Sequence, residues 1–145
     1  MSNVSIGLAF EKKVEAFLIG RGFTVMRTWK KMSRYPDRGK WITITKRQDF
    51  FGCIDLIAMS SDRRGTFMIQ CTTGDAGPRR KKIETVDWDI TSQPILIIRR
   101  KPSKREFVIQ KYFGRRNGGW TKEMAISLSK KANMQEEATL RHFGI

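Results

Sequence analysis

A chain of 145 residues with 39% hydrophobic side chains is long enough to bury an ordinary core as one domain, 1–145, without staples. Lys and Arg total 29 against 14 acidic residues, a net charge of +15, which points to a polyanionic partner, nucleic acid above all. No run approaches the roughly 18 apolar residues of a membrane span, and Met1 to Ile6 lacks the basic start of a signal peptide. No membrane partner is therefore expected, and two cysteines that read as reduced thiols point to a cytoplasmic setting.

Residues 4–21 carry Phe10, Val14, Phe17 and Leu18 at i, i+4, i+7 and i+8. That spacing predicts an amphipathic helix with Glu11 at the border of its apolar stripe. Gly22 closes it, and residues 22–27 alternate into a strand. Residues 28–39 read as a basic, turn-rich loop around Pro36, and 41–45 as a short extended segment. A strand over 53–59, a turn at Asp62-Arg63-Arg64-Gly65 and a strand over 66–73 form a hairpin. Its two cysteines, Cys53 and Cys71, lack metal-finger spacing and read as reduced core thiols.

Pro78 opens a short helix through about Trp88. The apolar run 94–98 is a central strand, paired with 106–113 across Pro102-Ser103. Thr121 is expected to cap a C-terminal helix reaching about His142 and bent near Asn133. The order α-β-β-β-α-β-β-α defines an α/β fold, a mixed sheet flanked by helices, with no repeat or linker to divide it.

The chemistry concentrates in the central hairpin. Asp55 stands in a strand that otherwise buries Ile, Leu and Ala, which is costly unless a cation or donors meet it. Alternation puts Cys53, Asp55 and Ile57 on one face, and Gln70 with Thr72 on one face of the partner strand. Where those faces coincide, the Gln70 amide oxygen meets Asp55, with Glu11 approaching from the helix. Hard oxygen ligands of this kind suit Mg²⁺ or Mn²⁺, which can activate water against a phosphodiester. The plainer readings are a structural salt bridge for Asp55, a solvated Glu11, a backbone hydrogen bond for Gln70 and a turn role for Asp49. His142 has no catalytic role, and no Ser-His-Asp or Cys-His set can be defended.

The positive charge is clustered. Arg27, Lys30, Lys31, Arg34, Arg38 and Lys40 crowd one segment; Arg79, Arg80, Lys81 and Lys82 follow the Gln70 strand; Arg99, Arg100, Lys101, Lys104 and Arg105 form a third group. Arg27, Lys30, Lys31, Arg34 and Lys40 are expected on DNA phosphates, with Trp29 or Tyr35 stacking, and Arg79 to Lys82 are expected to contact DNA as well.

Taken together, Phe10-Glu11, Gly22-Phe23-Thr24-Val25-Met26-Arg27, Ile54-Asp55-Leu56-Ile57-Ala58 and Ile69-Gln70-Cys71-Thr72-Thr73 resemble the core of the PD-(D/E)xK nucleases. Within that superfamily the likeness is to archaeal-type Holliday junction resolving enzymes, including phage-borne versions, and it covers about residues 7–74. The resemblance implies a restriction-endonuclease-like sheet and a homodimer that cuts four-way DNA junctions with Mg²⁺. It also implies metal ligation by Glu11, Asp55, the residue at position 70 and the backbone carbonyl of Cys71. Two positions depart from the pattern. Gln70 stands where the family usually has glutamate, and Thr72 where it usually has lysine, a role that Lys46 or Lys81 could fill in space. Two other readings stay open: a restriction or repair endonuclease acting on linear duplex, and a DNA-binding protein without catalysis.

Overall fold

The stripe of Phe10, Val14, Phe17 and Leu18 is buried on α1, which spans Asn3–Gly20. In the computed structural model, residues 3–28, 30–60, 62, 65–89, 94–101, 106–117, 119–128 and 133–145 are described. Trp29, the Arg63-Arg64 turn, the Pro102-Ser103 turn, Lys104 and Arg105 lie outside them, and Lys30, Lys31 and Lys46 are described by backbone alone.

One mixed sheet carries the fold. Its order is β1 (Phe23–Arg27), β4 (Leu56–Ser60), β5 (Gly65–Thr72), β6 (Ile95–Lys101) and β7 (Glu106–Gly114). On β7, β8 (Gly119–Trp120) pairs near Tyr112, and β9 (Met124–Ile126) pairs from Phe107 to Ile109. The pairings are antiparallel except β5 with β6, which run parallel. A parallel pair needs a crossover, and α2 (Gly77–Glu84) lies on it.

Strand alternation divides the core. On one face Leu56, Ala58, Phe67, Ile69, Leu96 and Ile98 pack with the α1 stripe and with Leu140, Phe143 and Ile145 at the C-terminus. On the other, Ile54, Met68, Ile95, Ile97 and Tyr112 pack with Ala76 and Ile83 around α2. β6 buries both of its faces, as its unbroken apolar run requires. The stripe of α1, at about 1.5–3 kcal/mol per buried side chain, outweighs its partly exposed Arg27–Glu15 ion pair of 3.0 Å, which contributes under about 1 kcal/mol. Gly144, after the last helix, stands at φ +82, and a Cβ there would meet the Phe67 ring at 2.9 Å.

Four expectations are corrected. Residues 28–39 are not a loop: β2 (Lys30–Asp37) and β3 (Lys40–Arg47) form a separate two-stranded ribbon. Arg38 (φ 49) and Gly39 (φ 78) make the left-handed two-residue turn that suits such a hairpin. Pro36 is tolerated because a ribbon pairs each strand on one side only. The strand expected over 53–59 starts at Leu56, because Phe50 to Ile54 curl into a turn closed by Ile54 N–H donating to the Phe50 carbonyl at 2.9 Å.

The α2 helix stops at Glu84 rather than Trp88, whose indole N–H donates to the Ile83 carbonyl at 2.8 Å. Thr121 caps no helix; its hydroxyl oxygen accepts from Lys111 N–H at 2.9 Å and prolongs the β7 edge. The last helix, α3, is Met134–His142. Asn133 is its N-cap, in a reciprocal pair of 2.9 Å hydrogen bonds with Glu136 that satisfies two donors of the helix start.

Candidate functional site

The site lies where β5 ends and β4 begins. Asp55 just precedes β4, and its main chain is held on both sides. Its N–H donates to the Ile69 carbonyl at 3.0 Å, and its carbonyl accepts from Thr28 N–H at 3.2 Å. The carboxylate is equally fixed: Asp55 Oδ2 accepts from Gln70 Nε2 at 2.6 Å and from Cys71 N–H at 2.8 Å. Gln70 Nε2 donates a second hydrogen bond, to the Cys71 carbonyl at 2.8 Å. Glu11, Asp55 and Gln70 are 6%, 4% and 1% exposed.

These residues line one cleft of about 450 Å³, with Asp49, Thr72, Thr73 and Arg79 in its wall and Gly7, Leu8 and Phe10 beneath. α1 supplies Glu11 from one face of the sheet and α2 supplies Arg79 from the other, so the cleft gathers polar groups at the rim where both layers end. The Cys53 thiol is pushed up to about 11, first by burial and then by the carboxylates of Asp49 and Asp55, against the opposing charge of Lys82. Cys53 and Cys71 are buried free thiols, and Cys53 stays protonated near neutral pH.

The expected convergence of Asp55, Gln70 and Glu11 on one space is present, with one difference of atom. The Gln70 amide nitrogen faces Asp55, while Gln70 Oε1 is buried without a hydrogen-bond partner. As a donor set the cleft fits a hard divalent cation. Its residues carry two carboxylates, a main-chain carbonyl and, once the Gln70 amide is turned, the amide oxygen, all oxygen, as Mg²⁺ or Mn²⁺ requires. Among the described residues no three His, Cys, Asp or Glu side chains cluster to hold a metal, so Gln70 and the Cys71 carbonyl would have to complete the set.

The other expected residues scatter. Arg27 ends β1, with its Nε 3.0 Å from Glu15. Lys30 and Lys31 lie on the ribbon backbone, and Arg34 and Lys40 are exposed there. The Arg34 guanidinium sits 5.6 Å from the centre of the Trp41 ring. Arg79 lines the cleft, whereas Arg80 turns inward and donates to Gln110 Oε1 at 2.8 Å. Lys81 and Lys82 are exposed on α2. Of the two lysines considered as stand-ins at Thr72, Lys81 does not line the cleft and the Lys46 side chain lies outside the described residues. Arg99 and Lys101 of the third group reach Glu123 at 2.7 and 3.6 Å, and the β7 edge beside them is taken by β8 and β9.

Sequence reasoning named Arg79 as a DNA contact but not its place in the cleft, and it missed Phe51. Arg79 reaches the cleft because a crossover helix begins at the carboxyl end of its strand, where α/β sheets gather ligands; Pro78 was the available signal. Phe51 stands at φ 55 in the turn before Asp55, 63% exposed, with its ring edge-on to Trp88 at 5.4 Å. Its partner in that turn, Gly52, could have marked the bend.

No family model and no curated protein matches the chain. Among solved structures, one described as "Crystal structure of SSO0001" aligns with 14% identity and a TM-score of 0.35, over 95% of this chain and 54% of its own. The chain thus spans about half of that protein, and so loose an overlap carries no argument. Among the described residues no helix is long and apolar enough to cross a membrane.

Proposed function

We propose that the chain is a Mg²⁺-dependent DNA endonuclease of the PD-(D/E)xK type, with a four-way junction as its substrate. One observation carries the reading: Asp55, Gln70, the Cys71 carbonyl and Glu11 share one cleft, in a chain of net charge +15. Mg²⁺ bound there supplies an activated water and neutralises charge developing at phosphorus. Asp55 and Glu11 would hold the ion, with the Gln70 amide oxygen and the Cys71 carbonyl as neutral ligands.

Arg79, in the cleft wall, meets the phosphate as a guanidinium donor that stabilises charge in the transition state. Arg34 and Lys40 on the ribbon, with Lys81 and Lys82 on α2, contact the DNA backbone. Two symmetric cuts in a junction call for two sites related by a two-fold axis, hence a homodimer. Buried free thiols suit a cytoplasmic setting.

A second reading, DNA binding without cleavage, is favoured by a specific observation: Thr72 offers no ammonium, and the Gln70 amide already occupies Asp55. Incubating the protein with a four-way junction, a matched linear duplex and a single strand, in Mg²⁺ and in chelator, tests both. Paired symmetric nicks in the junction alone, and only in Mg²⁺, are expected. Cutting of linear duplex would make it a nuclease of another specificity. Tight binding with no cleavage in Mg²⁺ would leave the second reading.

A further inference from the structure

We propose that the Gln70 carboxamide is a built-in surrogate cation: its NH₂ group bridges Asp55 and the Cys71 carbonyl in the metal-free protein, and the amide must turn over before a divalent ion can take that place. This rests on the reading of the cleft as a metal centre. The chemistry fixes which end of the amide faces inward. Both neighbours are acceptors, a carboxylate oxygen at 2.6 Å and a main-chain carbonyl at 2.8 Å. Only the nitrogen, with two N–H donors, can satisfy both. The reverse orientation would set three oxygens against one another.

The arrangement leaves a mark on the other end of the side chain. Gln70 is 1% exposed, and its Oε1 is buried with no partner. A buried acceptor is rarely left unmade without compensation, and here the two strong bonds at the nitrogen offset it. The torsion that turns the amide is broad and roughly two-fold, so one side chain has two arrangements. With nitrogen inward the bridge is closed and the orphan lies outward. With Oε1 inward the site presents Asp55, Gln70 and the Cys71 carbonyl as three oxygens, an arrangement favourable only around a cation.

A glutamate at position 70 could not form the closed state unless protonated, because it has no N–H to donate. Glutamine at this place therefore biases the protein toward its empty form and sets how much divalent ion is needed to load it. Binding of the ion and loss of the amide bridge become a single event.

Two measurements test this without using cleavage. The first follows the Gln70 side-chain amide in wild-type protein by ¹⁵N–¹H spectroscopy during a Mg²⁺ titration. Its two N–H protons are expected to be exchange-protected without metal and to shift and lose protection as the ion binds. The second measures Mn²⁺ affinity by water-proton relaxation for wild type, Gln70→Glu, and Gln70→Glu combined with Asp55→Asn. Gln70→Glu should bind Mn²⁺ roughly 10- to 100-fold more tightly than wild type, and the double variant should lose that gain. An amide unchanged in Mg²⁺-saturated wild type, or equal Mn²⁺ affinity for wild type and Gln70→Glu, overturns the surrogate while leaving the metal centre standing. No Mn²⁺ binding by either protein overturns both. The wild-type titration needs no variant to fold.

Discussion

The cleft at the sheet rim and the β2–β3 ribbon carry polar chemistry in opposite ways. In the cleft, Glu11, Asp55 and Gln70 are almost wholly buried, and short hydrogen bonds to one another and to the Cys71 main chain hold Asp55 and Gln70. On the ribbon, Trp41 is 66% and Tyr35 42% exposed, and the two strands pair with each other and with no strand of the main sheet. A reacting group gains from fixed geometry and low dielectric. A group that replaces counterions on a polyanion gains from exposure and reach. A lone two-stranded ribbon is also marginal in water, so a bound polyanion would add order to it. The rim is where chemistry would be lost by small changes, and the ribbon is where affinity would be lost gradually.

The largest separation between the two regions comes from Asp55→Asn. It should cut junction cleavage by at least about 100-fold while DNA affinity stays equal or rises, because one charge that repels phosphate is gone. Single-turnover cleavage beside a gel-shift titration reads both quantities. Normal cutting in Mg²⁺ would remove Asp55 from the catalytic set.

Stability should divide along the same line. Ile69, fully buried on β5 in the cluster it shares with the α1 stripe, should cost about 2–5 kcal/mol as Ile69→Ala. Ile44, 40% exposed on the ribbon, should change unfolding in urea by no more than about 0.5 kcal/mol as Ile44→Ala. A ribbon variant that destabilised the protein as much as the core variant would show that the ribbon packs on the body.

What could be read in advance follows from which signals are local. The α1 stripe, the hairpin of β4 and β5 and the buried β6 are periodic runs whose burial is set by side-chain alternation, and they appear as expected except that β4 starts at Leu56 rather than at 53. The Asp55–Gln70 meeting followed from the same alternation. Which end of the Gln70 amide faces inward did not, because that depends on the Cys71 carbonyl as a second acceptor. The ribbon was hidden by Pro36 and by the density of charge, although Arg38-Gly39 is a two-residue turn signal. Asn133 with Glu136 is a capping box that sequence alone displays; expecting Thr121 to start the helix masked it. Glu123 beside Arg99 is a long-range pair, beyond any local pattern.

An intermediate effect belongs to the ribbon alone. Lys30→Ala with Lys31→Ala should lower the slope of log affinity against log salt by about two units, one for each phosphate charge no longer neutralised. Binding titrations across a range of NaCl concentrations measure it, with Asp55→Asn as the background that binds without cutting. An unchanged slope would put these two lysines off the DNA path and leave Arg34, Lys40 and α2 to account for the electrostatics.

The smallest effect tests a partly exposed charge on the body rather than on the ribbon. Arg21, just past α1, donates to Glu137 of α3 at 2.8 and 3.2 Å and to the Ile145 carbonyl at 3.0 Å, tying the first helix to the C-terminus. Hydrogen bonding from Arg21 holds the Glu137 carboxyl below its ordinary 4.5. A carboxylate whose folded value is depressed contributes stability that is present above its unfolded value and is lost as pH falls through the folded one. Glu137→Gln should therefore be slightly less stable than wild type near neutral pH, and the difference should close as pH drops below the ordinary glutamate range. Urea unfolding of both proteins along a descending pH series measures the gap, and added salt should shrink it, because the pair is open to solvent. A gap that stayed constant with pH would assign the loss to packing of the Glu137 side chain instead of its charge.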